Sequence, residues 1–274
     1  MSFVGSACYF LYVPGNLPMQ AVLLSYLLGN ATLIAVRLTG DVMRTTIALC
    51  LAIVPTSLRF IVDGKGAYTT VGGERTTMHP GDFIITPSWT WHDHGNEGIG
   101  GTSEPVVWLD GLDIPMLRFF DAGFAENDDA KVQHVSRPEG HSLARFGHNM
   151  VPVRHDHVSA TSPIFNYPYA RSREALALLQ QQEAPDAWLG HKLRYINPLT
   201  GGSPMPTIST NLQLLPKGFA GRRFDFGPRD TFVVPSWAPL ELTAAGEDVV
   251  LFSFSDRPVQ QAMGILREAF LEDA

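Results

Sequence analysis

Cysteine is almost absent from this 274-residue chain, which contains only Cys8 and Cys50. Neither cysteine stands in a CxxC or Cys/His spacing, so the sequence supports neither a disulfide framework nor a zinc site. A reducing, cytoplasmic compartment is therefore expected. Basic residues are also few, because 20 Lys and Arg stand against 27 Asp and Glu, for a formal net charge of -7. This balance argues against nucleic acid as a partner, since nucleic-acid-binding proteins normally present a basic face.

Charged side chains are missing altogether from residues 1–36. An apolar run at residues 21–36 is interrupted by Gly29 and Asn30. It is shorter than the roughly 20 residues that a membrane-spanning helix requires, and no basic segment precedes it, as a secretory signal would require. We therefore expect no membrane anchor, and a membrane tether at this run is the alternative.

Glycine and proline are plentiful, at 25 and 20 residues, and 45% of the residues are hydrophobic. This composition fits a turn-rich, all-β globular protein with enough material for one large or two small domains. The pattern becomes regular from Leu58, where β-rich runs at 59–62 and 67–71 are separated by a glycine turn. Short strands between glycine turns predict an antiparallel barrel or jelly roll.

Polar side chains suited to catalysis and a predicted β-strand scaffold occur together at Gly81–Asn96, which has the sequence GDFIITPSWTWHDHGN. Pro87 ends ladder pairing after a short apolar strand. The extended piece that follows carries His92 and His94. Because residues two apart lie on the same face of a strand, both imidazoles are expected to share one pocket.

The spacing G-x5-P-x-W-x2-H-x3-N in this stretch resembles the second metal-binding motif of the cupin barrels, with Trp89 where many cupins have glycine. The longer string from Leu58 to Asn96 is similar to the first barrel of gentisate 1,2-dioxygenases, bicupin enzymes that open an aromatic ring. The strings WLDGLDIP, ending at Pro115, and YINPLTGG, starting at Tyr195, continue the resemblance. It implies an all-β bicupin fold of two jelly-roll barrels, both incomplete here, with a few helices.

An internal repeat supports the interpretation as two barrels. Residues 82–89 and 230–237 share the frame D-x4-P-S-W. The offset places Leu240 and Leu242 where the first copy has its two histidines, so the second copy keeps the scaffold without the ligands. Few residues separate Phe219 from the second copy, whereas the resembling enzymes have at least a hairpin there. We therefore expect an internal deletion.

Five segments follow from this comparison with the family. They are an aberrant apolar segment replacing the start of the first barrel (1–57), the rest of the first barrel (58–115), an inter-barrel region with one helix (116–200), a shortened second barrel without metal ligands (201–256) and a C-terminal helix (257–274). Good helix formers without a breaker place the inter-barrel helix at 172–182, and apolar spacing places the closing helix at 259–270.

The resemblance implies an Fe(II) site with three histidine ligands, of which His92 matches the third. Imidazole suits Fe(II), and few protein ligands leave positions open for substrate and O2. In the family, an H-x-H pair stands eight and six residues ahead of the arginine that corresponds to Arg59. Those positions hold Leu51 and Ile53, and no histidine precedes His79. Two of the three ligands are therefore missing, and our hypothesis for their loss is a frameshifted or decayed N-terminus.

Further roles come from the same resemblance and from residue chemistry. An ordinary histidine titrates near pH 6.5, which suits deprotonation of a phenol, and a planar guanidinium suits a carboxylate. Core packing is an equal alternative for the two tryptophans. The implied site residues are His94 and Asp93 for acid–base catalysis, and Arg59, Trp89, Trp91, His94 and Asp110 for substrate binding.

The implied reaction is Fe(II)-dependent, O2-driven cleavage of gentisate to maleylpyruvate, with a small aromatic carboxylate and O2 as partners. Salicylate and 1-hydroxy-2-naphthoate are alternative substrates, and homo-oligomers are common in the family. Because the H-x-H pair is missing, a non-catalytic cupin remnant or aromatic-acid-binding protein is the alternative function, and a membrane-tethered cupin sensor is a second. The segment Arg154–His157 also has H-x-H spacing, but its surroundings favour a solvated loop.

Overall fold

The chain divides into two compact units that are each discontinuous in sequence. A computed structural model describes residues 2–3, 7–10, 32–38, 51–53, 56–96, 104–130, 132–219 and 227–270, the first four ranges as strand backbone. The first unit comprises Leu17–Tyr169 and Asn197–Met205. The second unit comprises Met1–Asn16, Ala170–Ile196 and Pro206–Ala274. The segments expected from the sequence were, by contrast, continuous.

Strands dominate both units, and the expected all-β fold class is confirmed. The strands are β1 (Ser2–Phe3), β2 (Ala7–Phe10), β3 (Thr32–Leu38), β4 (Leu51–Ile53), β5 (Ser57–Asp63), β6 (Ala67–Val71), β7 (Glu74–Thr77), β8 (Phe83–Thr86), β9 (Thr90–Asn96), β10 (Val106–Leu112), β11 (Ala125–Asn127), β12 (Asn166–Tyr167), β13 (His191–Arg194), β14 (Ser209–Leu215), β15 (Thr231–Val234), β16 (Pro239–Leu240) and β17 (Val249–Ser255). The helices are α1 (Ile114–Phe119), α2 (His141–Phe146), α3 (Tyr169–Gln182) and α4 (Arg257–Ala262).

Two five-stranded antiparallel sheets build the first unit. Their strand orders are β12-β8-β5-β10-β3 and β11-β4-β9-β6-β7. Every residue of β8 is buried, as expected for a strand covered on both faces. The fully buried apolar side chains of this unit include Leu58, Ile61, Phe83, Ile85 and Leu109.

The second unit holds a five-stranded sheet in the order β13-β14-β17-β2-β15 and the short pair β1-β16. Leu215, Leu242 and Ala244 form one of its buried clusters, and Leu240 packs against that cluster. The two leucines that replace the histidines of the first copy are therefore packing residues. The deletion expected before this copy falls on residues 220–226, which lie outside the described residues.

The internal repeat is visible in the backbone. Asp82 and Asp230 each close a tight turn, donating a backbone N–H to the carbonyl three residues earlier at 3.0 and 3.1 Å. In each turn the aspartate carboxylate also accepts the N–H of that earlier residue, at 3.2 and 2.5 Å. The preceding residues, Gly81 and Arg229, have φ of +88° and +70°. This is the type II turn, with proline and then a positive φ at its centre.

The match extends to the tryptophans that end each copy. Trp89 has φ +60° and Trp237 has φ +67°, both in the left-handed region that normally favours glycine. The structure thus explains why glycine is common at this motif position. It also shows that both copies tolerate the strain of a bulky side chain there.

Helix α3 confirms the helix predicted at 172–182 and starts slightly earlier. The closing helix was predicted to reach residue 270, which is wrong, because α4 ends at Ala262. Gly264, at φ +70°, donates its N–H to the carbonyl of Gln261 at 3.0 Å and turns the chain out of the helix. The short helices α1 and α2 were not predicted.

The apolar run at 21–36 lies mostly outside the described residues, and its end from Thr32 belongs to β3. Among the residues that are described, no helix is long and apolar enough to cross a membrane.

Candidate active site

The two histidines of the central stretch lie on β9, inside the first unit. Their ring centroids are 5.3 Å apart, and His92 is almost fully buried. Strand alternation puts them on one face, as predicted from their spacing. The ring of His94 also lies 5.9 Å from that of Trp108 on β10. The pair therefore has an aromatic neighbour within the unit.

Position 51 lies directly beside His92 in the sheet. Strands β4 and β9 are antiparallel, with Leu51 opposite His92 and Ile53 opposite Thr90. Residues directly opposite in such a pair have neighbouring Cβ atoms. Position 51 is thus directly opposite the histidine that is present, and position 53 is opposite the residue two places before that histidine.

The donor set around His92 does not fit a firm iron site. In the part of the chain that the structure describes, no group of three His, Cys, Asp or Glu side chains is placed to hold a metal ion. This includes the loop at Arg154–His157, where the ring of His157 bonds the carbonyl oxygen of Thr161 at 2.8 Å. His92 and His94 supply two imidazoles on adjacent positions of one strand face, which is fewer than the family's three ligands.

Arg59 and Asp110 form a buried ion pair inside the first unit. Strand register places Arg59 of β5 opposite Asp110 of β10, and its Nε lies 3.1 Å from the carboxylate oxygen Oδ1. The Nη1 of Arg59 donates to the hydroxyl of Thr86 at 2.8 Å. The other carboxylate oxygen of Asp110 accepts the indole N–H of Trp108 at 3.1 Å. The guanidinium is therefore held in one orientation by two side chains.

Burial governs the ionisation of these groups. Burial, together with the nearby charge of Arg59 and the proximity of His92, holds the pKa of His94 well below its ordinary value. Burial also raises the pKa of Asp110, and Arg59 and Trp108 oppose that rise. The imidazole of His94 is consequently neutral at physiological pH, and its Nδ1 is buried without a hydrogen bond to any described residue. A neutral imidazole has one nitrogen able to accept a hydrogen bond.

A cavity of about 560 Å³ opens on the Arg59 side of the ion pair. One wall is apolar and comes from α1 and the turn after it. Its polar lining consists of Ser57, Arg59, Asp110 and Arg118. Phe124 also lines it and lies 5.3 Å from the ring of Trp89, which is 65% exposed. Neither histidine lines this cavity; His94 reaches it through Trp108 and Asp110.

Two predicted site residues point away from the histidine pair. Trp91 and Asp93 alternate onto the other face of β9. The carboxylate of Asp93 is buried and accepts the backbone N–H groups of Thr70 at 3.1 Å and Gln133 at 2.7 Å. These contacts fasten the 133 segment to the sheet. The catalytic role of Asp93 and the ring-contacting role of Trp91 stay predictions, and the structure does not bring these residues together with His94.

Sequence reasoning missed three residues of the site. Trp108 carried a signal, because it stands two positions before Asp110 on a strand and shares its face. Thr86 and Arg118 carried none, since their places depend on the packing of β8 and α1 against β5.

Comparison with known proteins fits this geometry. Residues 55–111 match the cupin domain family. The chain is 48% identical over 237 residues to gentisate 1,2-dioxygenase 1 of Aquipseudomonas alcaligenes, covering 78% of this chain and 67% of that protein. It is 35% identical to a gentisate 1,2-dioxygenase of a Streptomyces species, covering 77% of this chain and 66% of that protein. The chain thus spans about two thirds of the length of these curated relatives.

A solved structure supports the same relationship. The salicylate 1,2-dioxygenase of Pseudaminobacter salicylatoxidans superposes with a TM-score of 0.78 at 29% identity, covering 89% of this chain and 76% of that one. The sequence comparison and the structural comparison therefore indicate the same relatives along most of the chain. On this evidence the chain belongs to the gentisate 1,2-dioxygenase family of cupin proteins.

Proposed function

We propose that this chain binds a small hydroxylated aromatic carboxylate, with gentisate as the first candidate, and that it does not cleave the ring in its present form. One observation carries the proposal. A continuous line of buried contacts runs from His94 through Trp108 and Asp110 to Arg59, and it ends at the cavity. At the cavity, the cation of Arg59 and the apolar wall that includes Phe124 are the groups that recognise an aromatic carboxylate.

The buried guanidinium orients the ligand in this proposal. Arginine has five N–H donors in a rigid plane. Thr86 occupies a donor on Nη1 of Arg59, and Asp110 lies 3.1 Å from Nε as an ion pair without a hydrogen bond, which leaves donors for an incoming carboxylate. Because the plane is already fixed, little orientational freedom is lost when the ligand binds.

His94 does not line the cavity, so a ligand there is connected to it only through Asp110 and Trp108. The low pKa of His94 keeps its imidazole neutral, and a neutral imidazole can accept a hydrogen bond. Inside the cavity, the ring of Phe124 offers a flat apolar surface to the aromatic ring of the ligand.

Ring cleavage belongs to the family through Fe(II), and the family's reaction gives maleylpyruvate from gentisate and O2. The described donor set does not fit that ion, so binding without cleavage is the function proposed for the chain. The competing proposal, a working ring-cleaving dioxygenase, is favoured by the 48% identity to gentisate 1,2-dioxygenase 1, and it requires other side chains to replace the two missing histidines. The two proposals differ in what histidines at positions 51 and 53 would change.

The test compares the natural chain with the variants L51H/I53H and L51H/I53H/H92A. Each protein is loaded anaerobically with Fe(II), desalted, and assayed for iron content, for gentisate binding by calorimetry and for gentisate-dependent growth of product absorbance. We expect the natural chain to bind gentisate without retaining iron or turning over. We expect L51H/I53H to gain both iron and turnover, and the triple variant to lose them again.

Two results would contradict the proposal. Near-stoichiometric iron with turnover in the natural chain would show that other side chains complete the site with His92. Absence of any gentisate binding by the natural chain would exclude the aromatic-acid pocket.

A further inference from the structure

The charge of the cavity lining depends on one exposed arginine. Arg59 and Asp110 lie 3.1 Å apart and offset each other. Arg118 is the other charged residue that lines the cavity, and its side chain is exposed. The lining therefore carries a net positive charge that comes from Arg118.

The side chain of Arg118 also has no bonding partner among the described residues. It stands in the last turn of α1, and none of the described residues forms an ion pair or a side-chain hydrogen bond with it. Arg59, in contrast, is fixed by Asp110 and Thr86. Of the two guanidiniums, the one on α1 is thus free to move toward an anion that enters the cavity.

The wall around Arg118 is otherwise apolar. Leu112, Ile114 and Leu117 line the cavity beside it, together with Phe124. A single cation on an apolar wall matches a ligand with one anionic group on an apolar ring. An apolar surround also weakens the competition of water for the charged contact.

We propose that Arg118 is the specificity-determining residue that selects anionic over neutral aromatic ligands at this cavity. This inference rests on the proposed aromatic-acid binding and adds the residue that recognises the negative charge of the ligand. Arg59 and Asp110 together present a nearly neutral surface, so their contribution is to orientation. Arg118 contributes the attraction for the carboxylate.

The test measures the affinity of two ligands that share one ring. Gentisate carries a carboxylate, and 2,5-dihydroxybenzamide replaces it with an uncharged amide. Calorimetry is performed on the full chain, on Arg118→Gln and on Arg118→Lys. The control is Arg154→Gln, which removes the same charge from an exposed loop of the same unit that does not line the cavity.

We expect Arg118→Gln to weaken gentisate binding by about three- to tenfold, the size of a partly exposed charge contact. Binding of the amide should stay unchanged, Arg118→Lys should recover most of the loss, and Arg154→Gln should match the natural chain. The loss should also shrink at high salt, because the contact is partly exposed.

Two outcomes would overturn the inference while leaving aromatic-acid binding intact. In the first, Arg118→Gln and Arg154→Gln weaken gentisate equally, which indicates a general effect of net charge. In the second, Arg118→Gln weakens both ligands equally, which indicates a packing role. If the natural chain binds no gentisate at all, the proposed function fails and this inference fails with it.

Discussion

The buried pair of Arg59 and Asp110 predicts an unusual order of stabilities. The exposed fractions of the two side chains are 4% and 13%, so each charge has little water to replace its partner. Removing one partner of a buried pair costs about 3–5 kcal/mol, because the other charge is left uncompensated. The slightly larger exposure of Asp110 argues for the lower end, about 3 kcal/mol, for Asp110→Leu.

The same pair should add little net stability. Burial raises the pKa of Asp110 even though Arg59 stands beside it, which means that desolvation outweighs the attraction. Replacing both charges with apolar side chains of similar size is therefore expected to be nearly neutral. The double variant R59M/D110L should be more stable than either single variant, with a coupling free energy of at least about 2 kcal/mol.

Urea unfolding followed by circular dichroism measures all four proteins of this cycle. The stabilities of the variants are compared through their urea midpoints, with the slope of unfolding free energy against urea concentration held constant. If the two single changes add within about 0.5 kcal/mol, the charges do not interact and the reasoning is refuted. If the double variant is the least stable of the four, the pair is net stabilising and the desolvation argument is wrong.

Two further predictions concern the first unit. Gly81→Ala should cost about 2 kcal/mol more stability in urea unfolding than Gly140→Ala. Both glycines have positive φ, but a Cβ added at 81 would lie 2.4 Å from the ring of Tyr169, whereas no atom lies within 4 Å of a Cβ added at 140. Equal costs would show that the ring of Tyr169 moves aside freely. Burial raises the pKa of Glu74, although the backbone N–H and the hydroxyl of Ser142 both donate hydrogen bonds to its carboxylate. The folded chain therefore binds the carboxyl proton of Glu74 more tightly than the unfolded chain does. Stability should fall as pH rises from about 4.5 to the folded pKa. Unfolding midpoints between pH 4 and 7 should lose this fall in Glu74→Gln, and identical profiles for the two proteins would contradict the assignment.

Local rules predicted the placement of the histidine pair correctly. The period of two put His92 and His94 on one face, as the structure confirms. Counting back from Arg59 identified Leu51, which the backbone register then placed opposite His92. Both depend on counting residues along a short stretch of the chain, the first from strand period and the second from the family's spacing.

Features that depend on contacts across the fold were not predicted. The bond from Arg59 to Thr86 joins two strands, and no pattern in either strand specifies it. Asp93 looked like a catalytic neighbour of His94, yet its carboxylate faces Thr70 and Gln133. Sequence spacing defines which face a side chain occupies, whereas the partner on that face is set by tertiary packing.

The pairing of β2 has a consequence for how the chain folds during synthesis. Cys8 pairs with Val233, about 225 positions later, and with Phe254 on β17. The sheet of the second unit therefore closes only after Phe254 has left the ribosome, while the sheets of the first unit are complete once Tyr167 has emerged. Pairings this distant form slowly, and a waiting strand is open to partners on other chains. Yield of the folded protein should thus depend more on the rate of elongation and on temperature than the modest length of the chain would suggest.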